Sequence, residues 1–176
     1  MQQKGVAVWL TGLPSAGKTT IAAALQKRLR EANLVAVILD SDDLRPWLSK
    51  GLGFIRRDRD EHIFRVAELA LRVVRGDAIA IVAAISPYQE ARDQARKRIG
   101  IFLEIYVKCP IAVCVQRDVK GLYGKAKSGG ITNMTGLDDP YEPPVAPDLV
   151  LETDRETAED CVTKILGGLR DRGYIE

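Results

Sequence analysis

The chain has 176 residues, 26 basic and 24 acidic, a net charge of +2, and 46% hydrophobic residues. That length suits one domain with a sizeable core, and the near-neutral balance gives no global bias toward nucleic acid or a membrane surface. Three cysteines with no C-x-x-C pair and a single histidine speak against a zinc site.

Small buried thiols in a reducing compartment are the expected use of the cysteines. No signal peptide, transit peptide or bilayer-length apolar run is visible, so a cytoplasmic protein is expected. The run Val6-Ala7-Val8-Trp9-Leu10 reads as a buried strand. It feeds Gly12-Leu13-Pro14-Ser15-Ala16-Gly17-Lys18-Thr19, which fits G-x-x-x-x-G-K-[S/T], the P-loop pattern. Glycines let the backbone turn tightly and bring its N–H groups to phosphate oxygens. Lys18 is placed to reach the β- and γ-phosphates, and the Thr19 hydroxyl to ligate Mg²⁺. A helix beginning at Lys18, running through Thr20 to about residue 32, points its positive end at the anion.

A second strand, residues 35–39, ends on Asp40-Ser41-Asp42-Asp43-Leu44-Arg45. In open parallel α/β sheets ligands bind beyond the carboxyl ends of the strands. Asp42 is therefore a candidate to order a Mg²⁺ water or take a substrate proton, and Arg45 to hold an anion. A helix N-cap with acidic first-turn residues is the competing reading. Gly51-Leu52-Gly53-Phe54 reads as a flexible loop whose aromatic either packs inward or faces a ligand. A basic-acidic stretch, residues 56–61, precedes a helix with Ile63, Val66, Ala67, Leu69, Ala70, Val73 and Val74 on its apolar side, stopped by Gly76. His62 reads as a solvated or core-satisfied side chain in competition with a catalytic one.

Residues 78–84 form a third strand ending in Ile85-Ser86-Pro87-Tyr88, which places Ser86 in the same layer as the P-loop and Asp42. A helix follows over 88–98; its cluster Arg92, Arg96, Lys97, Arg98 reads as a solvated face. Residues 102–107 are a fourth strand, and Pro110 opens a short helix over 111–117. Residues 118–147 lack clear apolar periodicity and read as a lid that excludes water. A short strand over 149–151 and an amphipathic helix over 158–172 close the domain. The expected fold is α/β: a single three-layer P-loop kinase domain spanning 1–176, with a five-stranded parallel sheet and a lid loop at about 118–147.

The strings LDSDDLR, GLGF, RDRDEHI, ISPY, FLEIYV, RDVKGLY and TGLDDPYEPP resemble those of adenylylsulfate kinases, collinearly over residues 5–153. The resemblance implies transfer of the ATP γ-phosphate, with Mg²⁺, to the 3′-hydroxyl of adenosine 5′-phosphosulfate, giving PAPS and ADP in sulfate activation. It implies that Gly12 to Thr20 bind ATP, and that Lys18, Asp42 and Ser86 are catalytic. Ser86 matches the serine described as phosphorylated in some members, although direct in-line transfer needs only positioning and charge neutralisation. It places Thr19 and Asp42 at the metal. Asp40, Asp42, Arg45, Phe54, Arg59, His62, Ile85, Ser86, Lys120, Gly121, Leu122 and Met134 fall on the acceptor side. Arg45 and Arg59 are to grip the phosphosulfate, and Phe54 and Met134 to sandwich its adenine. It also suggests a homodimer. The chain departs from the family strings at Ser41 (glycine in LDGDNVR), His62 (asparagine in EDREENI), Gln89 (arginine after ISPY) and Met134 (phenylalanine). All four lie on the acceptor side, which leaves a kinase of another anionic nucleotide, or a non-catalytic nucleotide-binding subunit, as the alternatives.

Overall fold

Each apolar run becomes a strand of one parallel sheet. The computed structural model describes residues 3–130 and 132–176. Strands β1 (Val6–Thr11), β2 (Ala36–Asp40), β3 (Ile79–Ala83), β4 (Phe102–Lys108) and β5 (Leu149–Glu152) lie in the order β2-β3-β1-β4-β5, every pair parallel. The helices are α1 (Lys18–Glu31), α2 (Ser41–Leu48), α3 (Arg56–Arg75), α4 (Gln89–Ile99), α5 (Ile111–Arg117), α6 (Leu122–Lys127) and α7 (Ala158–Asp171). Strand alternation divides the core in two. Val6, Val8 and Leu10 of β1, with Ile79 and Ile81 of β3, face α1 and α7; Ala7 and Trp9, with Ala80 and Val82, face α3 and α4. That is the three-layer arrangement, with β1 central and its P-loop at the middle of the sheet's carboxyl edge.

The differences from expectation have local causes. Residues 41–48 are a helix, because the Asp40 side chain caps it by accepting from the Asp42 N–H. The N-cap reading of this segment holds, with Asp42 and Asp43 in the first turn. The basic-acidic stretch 56–61 is the first part of α3 rather than a lead-in. Arg92, expected on a solvated face, is 1% exposed and bonded to Glu104 at 3.0 Å. Its other N–H groups hold the Ser86 carbonyl (2.6 Å), the Gln89 side chain (2.8 Å) and the Glu142 carbonyl (2.7 Å). Such a buried pair persists only because its remaining donors are satisfied.

The described residues of 118–130 and 132–147 are tied down by specific contacts. The Asp118 carboxylate accepts from the Tyr123 and Gly124 N–H groups and starts α6. Tyr123 is buried, and its hydroxyl donates to the P-loop carbonyl of Pro14. Further on, Glu142 bonds to Pro87 and Gln89, Tyr141 to Thr11, and Asp139 to Tyr88. The segment has no helical stripe because long-range polar contacts tie it down.

Candidate active site

The P-loop geometry follows from its glycines. A Cβ on Gly12 would stand 2.4 Å from the Val107 carbonyl, so only glycine lets β1 leave the sheet so close to β4. Gly17, at φ 106°, turns the chain into α1. The cavity that begins here has a volume of about 380 Å³. Pro14, Ser15, Gly17, Lys18, Thr19 and Thr20 line one side, Asp40 to Asp42 and Ala83 to Ile85 another, and Lys120 and Leu122 a third.

Lys18 is 9% exposed, and its amine donates to the Gly12 and Leu13 carbonyls at 2.8 and 2.7 Å. Burial pushes its pKa down from 10.5 to about 8, against the pull of Asp42. A phosphate arriving here would find a cation held by neutral carbonyls, with little water to displace. The Thr19 hydroxyl donates to Asp40 at 2.7 Å. Asp40, expected on the acceptor side, is thus the carboxylate next to the P-loop hydroxyl. Asp42, expected beside Thr19 at the metal, lines the same cavity but is paired with Lys120 across the opening. Among the described residues no cluster of three or more His, Cys, Asp or Glu side chains could hold a metal alone. One hydroxyl and one nearby carboxylate nevertheless suit Mg²⁺, which keeps most of its waters and relies on substrate phosphates.

The acceptor-side residues are arranged differently. Phe54 is 56% exposed and does not pack inward; the Arg45 guanidinium lies 4.3 Å over its ring. Arg45 also donates to the Gly53 carbonyl. Arg59, expected to grip an anion, is 8% exposed and spent on protein: it donates to the Phe54 carbonyl, the Thr135 hydroxyl and the Asn133 carbonyl. His62, expected at the substrate, is buried with both ring nitrogens bonded to serines. Met134 is buried in the core cluster that holds Tyr123 and Cys114, not open opposite Phe54. Gly121, at φ 64°, turns the chain into α6 and so sets Lys120 and Leu122 at the cavity wall.

Ser86, the serine that the resemblance marks as a possible phosphoryl acceptor, lies behind the cavity wall. The residue is 1% exposed, its hydroxyl accepts from the Trp9 indole at 3.1 Å, and it does not line the cavity. Its neighbour Ile85 does line it, with its carbonyl held by Thr11 at 2.7 Å.

Sequence reading missed the far wall of the cavity: Arg117, Val119, Thr153, Glu156, Ala158 and Cys161. Arg117 donates to the Thr153 carbonyl at 2.6 Å, and Thr153 donates to the P-loop carbonyl of Ala16 at 2.7 Å. Arg117 and Val119 fall in the string RDVKGLY, but no local pattern marks Thr153, Glu156, Ala158 and Cys161 as cavity residues. They meet because the parallel topology brings the ends of β4 and β5 beside the P-loop.

The adenylylsulphate kinase family model matches residues 4–152. The adenylyl-sulfate kinase of Rippkaea orientalis is 51% identical over 175 residues, covering 99% of this chain and 97% of that protein. The APS kinase of Mycobacterium tuberculosis, solved with AMPPNP and APS, superposes with a TM-score of 0.92 at 37% identity, covering 96% of this chain and 99% of that one. A hexameric APS kinase from Thiobacillus denitrificans superposes with a TM-score of 0.75 at 31% identity; it covers 99% of this chain and 30% of that longer one. The P-loop, the five-stranded parallel sheet and this similarity over nearly the whole length agree: the chain belongs to the adenylylsulfate kinase family.

Proposed function

We propose that this chain is an ATP-dependent adenylylsulfate kinase: it moves the ATP γ-phosphoryl group to the 3′-hydroxyl of adenosine 5′-phosphosulfate, giving PAPS and ADP. The observation that carries this reading is the single cavity that holds a buried, partly desolvated Lys18 and the Thr19–Asp40 pair, with Asp42 and Lys120 across from them. The first group suits the phosphates of a nucleotide, and the second suits an incoming hydroxyl.

In that reading the far wall, with Arg117, Val119 and Ala158, takes the ATP base, and Gly12 to Thr20 cradle its phosphates. Bound Mg²⁺, held by Thr19 with Asp40 behind it, would neutralise charge on the β- and γ-phosphates. The acceptor oxygen forms its bond to Pγ as the bond from Pγ to the β-phosphate oxygen breaks. Asp42 takes the hydroxyl proton, once Lys120 has turned to a phosphate. Phe54 offers an exposed face to the acceptor adenine, Arg45 turns from that face to the anion, and the Ile85 backbone borders the acceptor. Lys120, Gly121 and Leu122 close over the site. Ser86 supports Ile85 from behind and forms no phosphoenzyme.

A homodimer belongs to the same reading; exposed Trp47 and Phe64 on α2 and α3 supply apolar surface for it. A cytosolic location fits three free, buried cysteines. Among the described residues no helix is long and apolar enough to cross a membrane.

The test is ADP release with MgATP and micromolar adenosine 5′-phosphosulfate, with the nucleotide product identified by mass. PAPS supports the reading. ATP binding without PAPS, and transfer to some other 3′-hydroxyl nucleotide, would overturn the acceptor and keep the kinase.

A further inference from the structure

His62 is the chain's one histidine. It lies on α3, is 2% exposed, and spends both ring nitrogens inside the protein. Nε2 is 2.8 Å from the Ser41 hydroxyl, and Nδ1 is 2.7 Å from the Ser49 hydroxyl. Ser41 is the first residue of α2 and Ser49 is the residue that ends it. One ring therefore ties both ends of an eight-residue helix to α3.

That helix needs the tie. Eight residues are too few to hold a helix by propagation alone, and Pro46 within it lacks an N–H. Its N-terminal turn carries Asp42 into the cavity, and Arg45 extends from it over Phe54. The ring is neutral at pH 7: burial and the Arg45 charge, with Arg65 behind, hold its pKa down at about 4 although Asp42 pulls the other way. A neutral imidazole has one donor and one acceptor nitrogen, so two serines saturate it and none of its capacity is left for a ligand. The two departures from the family strings at 41 and 62 are thus partners, since a glycine at 41 has no hydroxyl for the ring to meet.

We propose that His62 is a positioning residue: by bridging Ser41 and Ser49 it fixes the orientation of α2 and so sets where Asp42 and Arg45 stand against the acceptor, in place of a direct hydrogen bond to it. The inference rests on α2 being the acceptor-side element of a kinase. An asparagine amide reaches the place of Nδ1 and a glutamine amide that of Nε2. His62→Asn therefore keeps the Ser49 contact and loses Ser41, whereas His62→Gln keeps Ser41.

The experiment is steady-state kinetics on Ser41→Ala, His62→Asn, the double variant and His62→Gln, with a ¹⁵N spectrum of the single imidazole in each variant that retains it. Ser41→Ala and His62→Asn delete the same bond from opposite sides. Each is expected to lower kcat/KM for the acceptor about fivefold, with the KM for ATP unchanged. The double variant should be no worse than either single one, and His62→Gln should recover to within about twofold. Effects that multiply in the double variant would overturn the clamp, as would KM values for ATP and acceptor that move together, or a change in melting temperature alone. The spectrum needs no substrate. At pH 7 it should show one protonated and one bare ring nitrogen, and Ser41→Ala should shift Nε2 while leaving Nδ1. A ring indifferent to Ser41→Ala sinks the clamp whatever the kinetics. Conversely, the expected shift in a protein that phosphorylates no acceptor would sink the kinase reading and leave the Ser41–His62 contact standing.

Discussion

The nucleotide side, which lines the cavity, and the acceptor-side residues Arg45, Phe54, Arg59 and His62, which stand outside its lining, are built on different principles. On the nucleotide side the working parts are backbone and the residues rigidly attached to it: Gly12 where a side chain would strike β4, Gly17 at φ 106°, Lys18 folded onto P-loop carbonyls. On the acceptor side they are side chains on loops and a short helix, and most are occupied by one another. Arg45 covers Phe54, Arg59 straps residues 133–135 to the 54 loop, and His62 holds two serines. The contrast teaches that a phosphate site can be prepared in advance, because its ligand is the same wherever it occurs. An acceptor site must be opened by its ligand, and its internal contacts set what opening costs.

The sharpest way to break the nucleotide half is Lys18→Ala. Lys18 is the cation bonded to the P-loop carbonyls themselves, while Arg117 and Lys120 stand on other walls of the cavity, so transfer should fall about a thousandfold, measured as ADP release at saturating MgATP. The same variant should be no less stable to heat than the parent. Burial has pushed the Lys18 pKa down to about 8, so the charged amine is held in the fold at a cost, and function is what retains it. Near-normal turnover would remove Lys18 from the phosphate site. A much lower melting temperature would mean that its bonds to the Gly12 and Leu13 carbonyls outweigh its desolvation.

This contrast also explains what could be read in advance. Strands showed as apolar runs, since both faces of a parallel sheet are covered. The P-loop showed as a string, since its geometry needs glycine at fixed spacing. Helix α2 stood only as a competing reading because its cap, Asp40, also looks like a ligand. The burial of Arg92 was hidden because its partner Glu104 lies on another element, and burial of a charge is decided by its partner. Arg59 and Met134 were assigned to the acceptor from their place in family strings. Their contacts with Thr135 and with the core cluster depend on how residues 118–147 fold back, which no local periodicity encodes.

The acceptor half can be probed by pH. His62 has a folded-state pKa of about 4 against an ordinary 6.5, lowered by burial and by Arg45 and Arg65, with Asp42 opposing. The unfolded chain takes up the proton first. Stability from this group is therefore complete above pH 6.5 and drains away as the pH falls toward 4, by at most about 1.4 kcal/mol per pH unit. Urea unfolding at pH 7.5 and pH 5 should show a larger loss for the parent chain than for His62→Gln, whose side chain does not titrate. Equal losses would mean that the ring is accessible to protons in the folded protein and that the α2 anchor is looser than its two hydrogen bonds imply.

The smallest effect is expected at Ser86, where the two halves meet. Its hydroxyl sits behind the cavity wall, between the Trp9 indole and the Ala84 carbonyl, at φ 40°. Its carbonyl, not its hydroxyl, is fixed by Arg92, so the path of the loop does not depend on the side-chain oxygen. Ser86→Ala leaves the indole N–H without its acceptor, which costs about 1–3 kcal/mol of stability. Turnover should stay within about threefold of the parent, because in-line transfer to an acceptor hydroxyl needs positioning and charge neutralisation and no protein nucleophile. Folded but inactive Ser86→Ala protein, together with a phosphoryl group on Ser86 of the parent chain after incubation with ATP alone, would reverse this. The serine would then have to swing out of the core past Trp9, and the wall between the two halves would be a moving part of the reaction.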